Sequence, residues 1–501
     1  MKTLLVANRG EIAVRVIRAA REMGLRTVAV ASEADAHAAH AKLADTVVDL
    51  GPSDSRESYL RTDKILAACR ESGADAVHPG YGFLSENADF AEACEAAGVT
   101  FVGPPASAMR ALGAKIPAKE LARSCGVPTV PGFFEAGASD AQLRAAANAI
   151  GYPVMLKASA GGGGRGMRVV RTGDEFDAAL SLARSEAVSA FGDGAMMVEK
   201  LVQSPRHIEV QLLADRHGNA AVLFERECSV QRRHQKLIEE APSPLFADPS
   251  KMHLWETMRR SAIELAKAAG YVGAGTVEFI YDPEAEAVYF LEVNARLQVE
   301  HPVTEQITGV DLVQWQLRIA DGERLDLTPS LFAGDRSAIR GHAVEVRVVS
   351  EDPARGFMPA SGRLVGWAEP SGPGIRVDTG YGPGAEVPRF YDSLLAKVIT
   401  SGETRNAAIR RMEDALLDFH ILGVPTNIEF MLAVLEHRAF LTGTVDTGFV
   451  DREMSGWTPR EEIPPVLGAL CRVSRPASAE AKRTVAGPWD LADGWRVARS
   501  G

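Results

Sequence analysis

The stretch FLEVNARLQVEHP, residues 290–302, alternates polar and apolar side chains along its length. In an extended chain, successive side chains point to opposite faces, so the stretch would present one polar and one apolar face. On the predicted polar face, the acids Glu292 and Glu300 flank the cation Arg296. Such a set suits a site that binds a metal ion and an anion. Alternation alone is more often that of a solvated strand face with an ion pair. The rest of the chain must therefore decide between such a face and a binding site. The predicted polar face is Glu292, Asn294, Arg296, Gln298 and Glu300, and the apolar face is Leu291, Val293, Ala295, Leu297 and Val299.

The composition is that of a globular enzyme, with 46% hydrophobic and 24% charged residues in 501. This length predicts about three domains. The net charge of -11, without a concentrated basic region, argues against binding to nucleic acid or an anionic membrane. The five scattered cysteines form no CxxC pair, so neither a disulfide framework nor a zinc site is expected. No apolar run reaches the ~18 residues of a membrane helix, and the short apolar N-terminus predicts no signal peptide. We therefore expect a cytoplasmic protein.

The N-terminal region follows a strand–helix–strand pattern. TLLVAN at 3–8 predicts a buried strand, EIAVRVIRAAREMG at 11–24 a helix, and RTVAVAS at 26–32 a second strand. Repetition of this pattern predicts a small doubly wound parallel sheet. The segment fits a dinucleotide site poorly, because only one glycine follows the first strand and the G-x-G-x-x-G loop is absent. In the turn-rich HPGYGFLSEN, residues 78–87, we expect His78 to be structural, because that is commoner in such a turn than a ligand histidine.

A glycine run follows a predicted strand that carries Lys157. AGGGGRGM occupies residues 160–167, and MRVVR at 167–171 predicts the next strand. Consecutive glycines favour neither helix nor strand, but they let backbone N–H groups approach a ligand closely, and phosphate is the usual one. A flexible linker is the alternative, although a linker rarely joins two strands in this way. The run therefore predicts a phosphate site that differs from the P-loop sequence.

Two acidic residues lie on successive predicted strands. Glu278 lies in GAGTVEFIYD at 273–282, Glu292 lies in the first stretch quoted, and a turn is expected near Asp282–Glu286. A hairpin would place the two carboxylates side by side, where they repel unless a cation intervenes. Magnesium is the expected ion because it accepts carboxylates together with phosphate oxygens. The ionic segment FERECSVQRRHQK, residues 224–236, suits an anion site better than a solvated face.

Taken together, these segments resemble the ATP-grasp superfamily and, within it, biotin carboxylase. A lone glycine run would be weak evidence, whereas the ordered set is highly specific, and it extends to about residue 446. The motifs are ANRGEIAVR at 7–15, HPGYGFLSEN at 78–87, YPVMLKASAGGGGRGM at 152–167, RECSVQRRHQK at 226–236, EVNARLQVEHPVTE at 292–305, GHAVEVR at 341–347 and YDSLLAK at 391–397.

The resemblance implies a mixed α/β and α+β architecture with an ATP-grasp fold. It places an N-terminal α/β domain at 1–112, an ATP-grasp domain at 113–325 with a mobile lid at about 131–203, and a β-rich C-terminal domain at 326–446. Residues 447–501 would form a tail towards a carrier region.

The resemblance also assigns expected roles in nucleotide binding. Lys115 and Lys157 would hold ATP phosphates as compact cations. Gly163 and Gly164 would lie in the lid loop over the phosphates. Glu278, Glu292 and Asn294 would carry Mg²⁺ (or Mn²⁺), which neutralises charge during phosphoryl transfer. The adenine border would be Glu199, Lys200, Leu201 and Val202, acting mainly through backbone groups, and His207, Gln231 and His234 would help to hold the nucleotide.

The remaining implied roles concern the carboxylation itself. Arg296, Gln298, the Val299 backbone and Lys236 would hold bicarbonate, since a guanidinium fork matches a planar carbonate. Glu300 would be the general base that deprotonates bicarbonate as it attacks the γ-phosphate. Arg347 would face the biotin ureido oxygen and stabilise the enolate.

Three features depart from the family or extend beyond its motifs. Gly113-Ala114-Lys115 replaces the Gly-Asp-Lys of many relatives, which could alter how Lys115 is held, and Ala160 precedes four glycines where many have five. Activity is expected to survive both changes. The segment GPWDLADGWRV, 487–497, is similar to the one that follows the carboxylase module in acyl-CoA carboxylase α subunits. No Met-Lys-Met biotin site occurs beyond Met1-Lys2, so biotin is expected on a carrier supplied in trans.

The expected reaction converts ATP, bicarbonate and carrier-bound biotin into ADP, phosphate and carboxybiotin through carboxyphosphate. A carboxyltransferase subunit and a second copy of the chain are the other expected partners. Two alternatives stay open at this point: another ATP-grasp ligase, such as a carbamoyl-phosphate synthetase module, and an inactive nucleotide-binding subunit that scaffolds a complex. RRHQK and the 341–347 strand argue against the first. The retained Lys236, Glu292, Arg296, Glu300 and Arg347 argue against the second.

Overall fold

The N-terminal segment forms the parallel sheet that its pattern predicts. The computed structural model describes residues 1–135, 137–160 and 166–459. Five strands of this part pair in the order β3-β2-β1-β4-β5, and the central strands are buried because their side chains are almost entirely apolar. The elements are β1 Thr3–Val6, α1 Gly10–Glu22, β2 Arg26–Ser32, α2 Ala39–Leu43, β3 Thr46–Gly51, α3 Thr62–Ser72, β4 Ala76–His78, α4 Ala88–Ala96, β5 Thr100–Phe101 and α5 Ala106–Gly113.

The next segment contains a smaller antiparallel sheet in the order β6-β9-β7-β8. Two helices cover it, and their apolar residues form a separate small core with the strands. This sheet carries Lys157 and Glu199, so it brings residues predicted for nucleotide binding onto one element group. The elements are α6 Lys115–Ser124, β6 Gly132–Phe133, α7 Asp140–Ile150, β7 Val154–Ala158, β8 Met167–Val170, α8 Phe176–Phe191 and β9 Met196–Lys200.

The remaining described residues contribute most of a larger core and the sheet that carries the chemistry. The elements up to residue 333 are β10 Arg206–Ala214, β11 Ala220–Arg232, β12 Gln235–Ala241, α9 Met252–Ala269, β13 Gly273–Asp282, β14 Ala287–Asn294, α10 His301–Thr308, α11 Leu312–Ala320 and α12 Pro329–Ala333. The later ones are β15 His342–Val349, β16 Glu351–Asp352, β17 Met358–Pro359, β18 Gly362–Arg363, β19 Gly366–Ala368, β20 Ile375–Thr379, β21 Glu386–Val387, β22 Leu394–Gly402, α13 Arg405–Asp418, β23 His420–Leu422, α14 Ile428–Leu435, α15 Arg438–Leu441 and α16 Phe449–Glu453.

An eight-stranded sheet among the described residues runs β14-β13-β10-β11-β12-β15-β22-β20. Its strands come from both the predicted ATP-grasp segment and the predicted C-terminal segment, and they join where β12 pairs with β15. The apolar face of β15, formed by Val344, Val346 and Val348, packs in one core with residues of α13. Alternation therefore turns Glu345 and Arg347 towards the opposite face, on the side of α10.

Residues Met1–Trp457 form one compact unit. The domain boundaries predicted at 112, 325 and 446 stay predictions, and GPWDLADGWRV lies outside the described residues. Within the described part of the chain, we find no helix with the length and apolarity needed to span a bilayer. Cys69, Cys94, Cys125 and Cys228 are free thiols.

Candidate active site

The hairpin predicted for the two acidic residues is confirmed. β13 and β14 are antiparallel, the turn covers residues 283–286, and Glu278 lies directly opposite Glu292. Directly opposed residues on an antiparallel pair share a face and lie close together. Lys115, at the start of α6, places its Nζ 3.4 Å from Glu292 Oε2. Two carboxylates and one predicted phosphate lysine therefore meet at this edge of the large sheet.

The predicted extended run over residues 290–302 is wrong beyond Asn294, where β14 ends. Residues 295–300 form a loop, and α10 begins directly after Glu300, with Pro302 in its first turn. Proline cannot donate to a strand ladder, but its fixed φ suits the first turn of a helix. Polar alternation alone could not distinguish this loop from a strand, because both present their polar residues to the same site.

The loop brings Arg296 into a network of polar groups. Its Nε donates to Glu86 Oε2 at 2.8 Å, and its Nη1 donates to Gln298 Oε1 at 2.8 Å. Its Nη2 donates to Asn294 Oδ1 at 3.1 Å. Gln298 Nε2 in turn faces Glu278 Oε1 at 3.2 Å. The guanidinium fork is thus oriented on several sides, and Glu86, to which the sequence analysis gave no role, is one of its partners.

Lys236 lies among three carboxylates. Its Nζ is 2.6 Å from Glu300 Oε1 and 3.0 Å from Glu278 Oε1. The third partner is Glu209 Oε2, at 2.5 Å. Burial lowers the pKa of Lys236, but the three carboxylates outweigh it and hold that pKa well above the usual value. Glu209 was not predicted, although it lies between His207 and Gln211 in the alternating pattern of β10.

Glu300 is fully buried between two cations. Besides Lys236, it contacts Arg347, whose Nη2 donates to Glu300 Oε2 at 3.0 Å. Burial alone raises the pKa of Glu300, but Lys236 and then Arg347 lower it well below its ordinary range. The carboxylate is therefore ionised at neutral pH and can accept a proton from a group bound beside it.

Arg347 reaches the site from β15. Its Nε donates to Glu239 Oε1 on β12 at 2.7 Å, across a sequence separation of 108 residues. This contact depends on the pairing of β12 with β15, which motif reading could not supply. Arg347 therefore lies between Glu239 and Glu300, as an ordered cation at the wall of the site.

Lys397 holds the loop of residues 295–300 through a backbone carbonyl. It is fully buried, and its Nζ donates to the Val299 carbonyl at 2.8 Å. The same Nζ lies 3.4 Å from Glu11 Oε1 and 3.8 Å from Asp378 Oδ2. The backbone role expected for Val299 would therefore fall to its N–H, because the carbonyl already has a donor.

Lys157 shares one carboxylate with a second lysine. Lys157 Nζ lies 2.6 Å from Glu199 Oε2, and Lys119 Nζ lies 2.6 Å from Glu199 Oε1. Burial raises the pKa of Glu199, but the two lysines lower it to about 2. Lys119 was not predicted. It is four residues from Lys115 on α6, on the same helix face, so helical spacing was a usable signal.

In the segment after Glu199, two backbone N–H groups donate hydrogen bonds to carbonyls of the protein itself. The Lys200 N–H donates to the Pro131 carbonyl at 2.8 Å, and the Leu201 N–H donates to the Pro153 carbonyl at 3.1 Å. Lys200, Leu201 and Val202 are half-buried. Contacts from Lys200 and Leu201 to an adenine would therefore have to come from groups other than these two N–H donors.

The other predicted nucleotide residues lie on β10 and around the β11–β12 turn. His207 Nε2 is 2.9 Å from Glu278 Oε2, and Gln231 Nε2 is 3.4 Å from His207 Nδ1. Burial lowers the pKa of His207, but Glu278 outweighs it and raises the pKa above its usual value. His234 is exposed. At the turn between β11 and β12, φ is 49° at Arg233 and 64° at His234.

Gly163 and Gly164 lie outside the described residues. The strands on either side are as predicted, since β7 and β8 pair antiparallel with Lys157 opposite Met167. Lys157 thus lies on a strand that pairs with the strand following the run in the sequence. Its role in phosphate binding stays a prediction.

The acidic residues of the hairpin fit a magnesium ion. Glu278 and Glu292 carry carboxylate oxygens at opposed positions. Those of Glu278 also contact Lys236 and His207, whereas Glu292 is partly open to solvent, with a side-chain exposure of 30%. Oxygen donors of this kind, completed by phosphate and water, are what Mg²⁺ prefers. Asn294 is already engaged at both ends, because its Nδ2 donates to Glu278 at 2.8 Å while its Oδ1 accepts from Arg296.

Comparison with protein families accounts for most of the chain. The family model for "Biotin carboxylase, N-terminal domain" matches residues 1–109, and that for "Biotin carboxylase C-terminal domain" matches residues 345–452. Between them, residues 114–328 match "Carbamoyl-phosphate synthase L chain, ATP binding domain". Biotin carboxylase 1 of Bacillus subtilis is 48% identical over 451 residues, which cover 90% of this chain and 98% of that one. The chain belongs to the biotin carboxylase family.

Solved biotin carboxylase structures share this fold. The Campylobacter jejuni biotin carboxylase, in complex with β-γ-ATP, has a TM-score of 0.85 at 42% identity and covers 90% of this chain and 99% of its own. The biotin carboxylase domain dimer of Hydrogenobacter thermophilus 2-oxoglutarate carboxylase, with MgADP, ADP and bicarbonate, has a TM-score of 0.86 at 42% identity. It covers 92% of this chain and 99% of its own. The ATP-grasp architecture expected from the motifs is therefore confirmed.

Longer relatives match over part of their length. The mitochondrial methylcrotonoyl-CoA carboxylase α subunit of Oryza sativa is 47% identical over 483 residues. The match covers 94% of this chain and 64% of that relative. The chain thus spans less than two thirds of the length of that α subunit.

Proposed function

We propose that this chain is an ATP-dependent biotin carboxylase that joins bicarbonate to biotin at the expense of ATP. The observation that carries the proposal is the contact of Glu300 with both Lys236, at 2.6 Å, and Arg347, at 3.0 Å. An ionised base lies between two cations, beside a guanidinium fork at Arg296. This arrangement suits the capture of a small anion, removal of its proton and stabilisation of a second developing anion.

The nucleotide lies along the edge of the large sheet in this proposal. Lys115 and Lys157 hold the phosphates, with Glu199 and Lys119 keeping Lys157 in place. His207, Gln231, His234 and residues 199–202 contribute to the nucleotide pocket, and Gly163 and Gly164 close over the phosphates. When bound, Mg²⁺ held by Glu278 and Glu292 neutralises phosphate charge.

Bicarbonate lies against Arg296, Gln298, the Val299 N–H and Lys236. The fork of Arg296 binds a planar anion through two parallel N–H donors. Glu300 takes the hydroxyl proton as the bicarbonate oxygen attacks the γ-phosphorus, and carboxyphosphate and ADP result. Lys236 and Arg347 keep the base ionised before that transfer.

Arg347 acts in the second part of the reaction. Carboxyphosphate breaks down to carbon dioxide and phosphate. The released phosphate takes the proton of the biotin ureido nitrogen, and that nitrogen then attacks the carbon dioxide. Negative charge then develops on the ureido oxygen, and a preorganised cation beside it lowers the barrier. Glu239 and Glu300 orient Arg347 for this contact.

Glu292→Gln is expected to abolish nearly all ATP turnover. The substitution removes one of two opposed carboxylates from the proposed metal site while keeping the shape of the side chain. Nucleotide binding should persist through the lysines. The measurement is ATP hydrolysis at saturating Mg²⁺, and Glu284→Gln, an exposed residue in the turn of the same hairpin, is the control. Hydrolysis at the parental rate in Glu292→Gln would contradict the metal assignment.

Arg347→Ala is expected to lower biotin carboxylation by about 10²–10³-fold, the usual cost of losing one oxyanion donor. ATP affinity should change little, because the predicted nucleotide contacts lie elsewhere. Carboxybiotin formation and the Michaelis constant for ATP are measured together, with Arg355→Ala as an exposed arginine control. An equal loss of ATP affinity would show that Arg347 is structural.

Two alternative functions remain distinguishable by experiment. A carbamoyl-phosphate synthetase module would hydrolyse ATP in response to ammonia, and an inactive scaffold would not hydrolyse it at all. The pairing of β12 with β15 that brings Arg347 to Glu300 supports the carboxylase. Transfer of radiolabelled bicarbonate to biotin, dependent on ATP, tests the proposal directly.

We further propose the partners and location. Biotin is presented by a separate carrier domain or chain, a carboxyltransferase subunit uses the product, and two copies of the chain pair as a homodimer in the cytoplasm. A tethered biotin gains an effective concentration of about mM. Carboxylation should therefore saturate at a much lower concentration of biotinylated carrier than of free biotin.

A further inference from the structure

A pair of buried acids lies behind Arg347. Glu239 on β12 and Glu345 on β15 are directly opposite each other in the antiparallel register. Both have no solvent exposure. Opposed residues share a face, and Glu345 precedes Arg347 by two positions, on the same face of β15. Glu239 orients Arg347 in the proposed reaction, whereas Glu345 has no role in it.

Three of the four carboxyl oxygens of the pair lack a hydrogen-bond donor. Glu239 Oε2 and both carboxyl oxygens of Glu345 are buried without a hydrogen-bond partner. A buried carboxylate without donors is strongly unfavourable. Two such groups side by side repel each other, and a proton on one of them removes the repulsion and supplies a donor to the other.

The surroundings provide too little positive charge for two ionised acids. Arg347 contacts Glu239 at 2.7 Å but also serves Glu300. Lys397 on β22 interacts electrostatically with Glu345, but it is shared with Glu11 and Asp378. The charged groups that act on the two acids are Arg347 and Glu300 on both, Lys236 on Glu239, and Lys397 on Glu345, and the Cys228 thiol lies within the electrostatic influence of Glu239.

We propose that Glu239 and Glu345 hold one proton between them and act as positioning residues for Arg347. With one proton, the pair carries a single negative charge. That charge holds the guanidinium of Arg347 in place and leaves it positive enough to stabilise the ureido oxygen of biotin. Loss of that proton adds a second negative charge behind Arg347 and draws the cation away from the ureido oxygen. The catalytic part of this inference rests on the proposed carboxylase function, whereas the shared proton does not.

Electrostatics support the single proton at neutral pH. Burial raises the pKa of Glu239 to about 7, although Arg347 opposes the shift. Burial also raises the pKa of Glu345, and Lys397 only partly offsets it, so that pKa lies well above the usual range. Both shifts favour the protonated acid, so the pair retains a proton at pH values where ordinary glutamates are ionised.

Infrared spectroscopy tests the proton without any assay of activity. At mildly alkaline pH the intact chain should show the carbonyl stretch of a buried carboxylic acid, and Glu345→Gln should lose it. Labelling with carbon-13 glutamate assigns the band to a glutamate. Glu240→Gln is the matched control, because Glu240 is the next residue on β12 and is buried and ionised, its pKa being lowered to about 2 by His342 and Arg405 against the effect of burial. A protonated-acid band that persists in Glu345→Gln, or none in the parental chain, would overturn the proposal.

A pH profile tests the link to Arg347. In Glu345→Gln the second negative charge behind Arg347 cannot form. The pH at which kcat for biotin carboxylation falls on the alkaline side should therefore rise. We expect a rise of about one pH unit or more, the size of the interaction in a strongly coupled pair of acids. Glu240→Gln should keep the parental profile. An unmoved alkaline limb in Glu345→Gln, with the infrared band lost, would overturn the positioning role while retaining the shared proton. If no variant or parental chain carboxylates biotin, the proposed function fails, and the infrared result still decides the proton.

The same variant has a stability consequence with a defined sign. The folded chain binds a proton at Glu345 that the unfolded chain releases near its ordinary pKa, so the parental free energy of unfolding falls as pH rises above that value. Glu345→Gln lacks this titration. Urea unfolding across pH should therefore show a smaller alkaline loss in the variant, and equal losses in both chains would contradict a raised pKa at Glu345.

Discussion

Glu300→Gln is expected to reduce bicarbonate-dependent ATP cleavage by roughly 10²–10⁴-fold, the range that one general base contributes. The amide keeps the size of the side chain but cannot accept the bicarbonate proton. It also removes the charge shared by Lys236 and Arg347, which lie 2.6 and 3.0 Å from the carboxylate. Because these cations hold the pKa of Glu300 well below its usual range, protonation of this base should not limit the parental rate near neutral pH.

Glu240→Gln controls for the removal of a buried, paired carboxylate from the same sheet. Glu240 accepts from His342 and Arg405 at 2.7 and 2.6 Å, and it lies outside the proposed site. Its variant should lose stability but retain bicarbonate-dependent turnover per folded molecule. If Glu300→Gln cleaved ATP as fast as this control, Glu300 would not be the base.

Lys236→Met is the second substitution with a large expected effect. It leaves Glu209, Glu278 and Glu300 without the cation they share, and breaking buried pairs of this kind costs about 3–5 kcal/mol. Bicarbonate loses a ligand at the same time. We expect no detectable carboxylation and a marked fall in thermal stability, measured by product formation and by calorimetry.

The pH dependence of that stability has a defined direction. Lys236 is the first cause that lowers the pKa values of Glu278 and Glu300 against the effect of burial. Without it those pKa values rise, so the folded variant keeps protons that the folded parental chain has released. Its stability relative to the parental chain should therefore fall as pH rises through those values. Lys236→Arg keeps the charge and should recover stability more than turnover. A Met variant as stable as the parental chain at all pH values would contradict the shared-cation arrangement.

Local pattern was sufficient for much of the fold. The apolar run at 3–8 and the helix after it belong to a parallel sheet, as predicted, because strand–helix–strand spacing leaves few other packings. The hairpin that pairs Glu278 with Glu292 was also predictable, since two alternating segments flank a short turn. The error came in residues 295–300, where polar alternation continues although the backbone leaves the sheet before Pro302.

Contacts across long sequence separations could not be predicted from motifs. Arg347 meets Glu239 through the pairing of β12 with β15, and Glu345 gains its carboxyl neighbour in the same way. Glu86 approaches Arg296 across 210 residues. These contacts depend on strand register and on how a loop folds back. No single segment of the sequence predicts either of them.

Stimulation of ATP hydrolysis by bicarbonate and biotin tests the central claim most directly. The purified chain is assayed with Mg²⁺ and ATP alone, with bicarbonate, with bicarbonate plus free biotin or biotinylated carrier, and with ammonia in place of biotin. A biotin carboxylase should hydrolyse ATP only when bicarbonate is present, hydrolyse it faster when biotin is added, and form carboxybiotin in step. ATP hydrolysis that responds to ammonia and ignores biotin, or no hydrolysis under any of these conditions, would contradict the account.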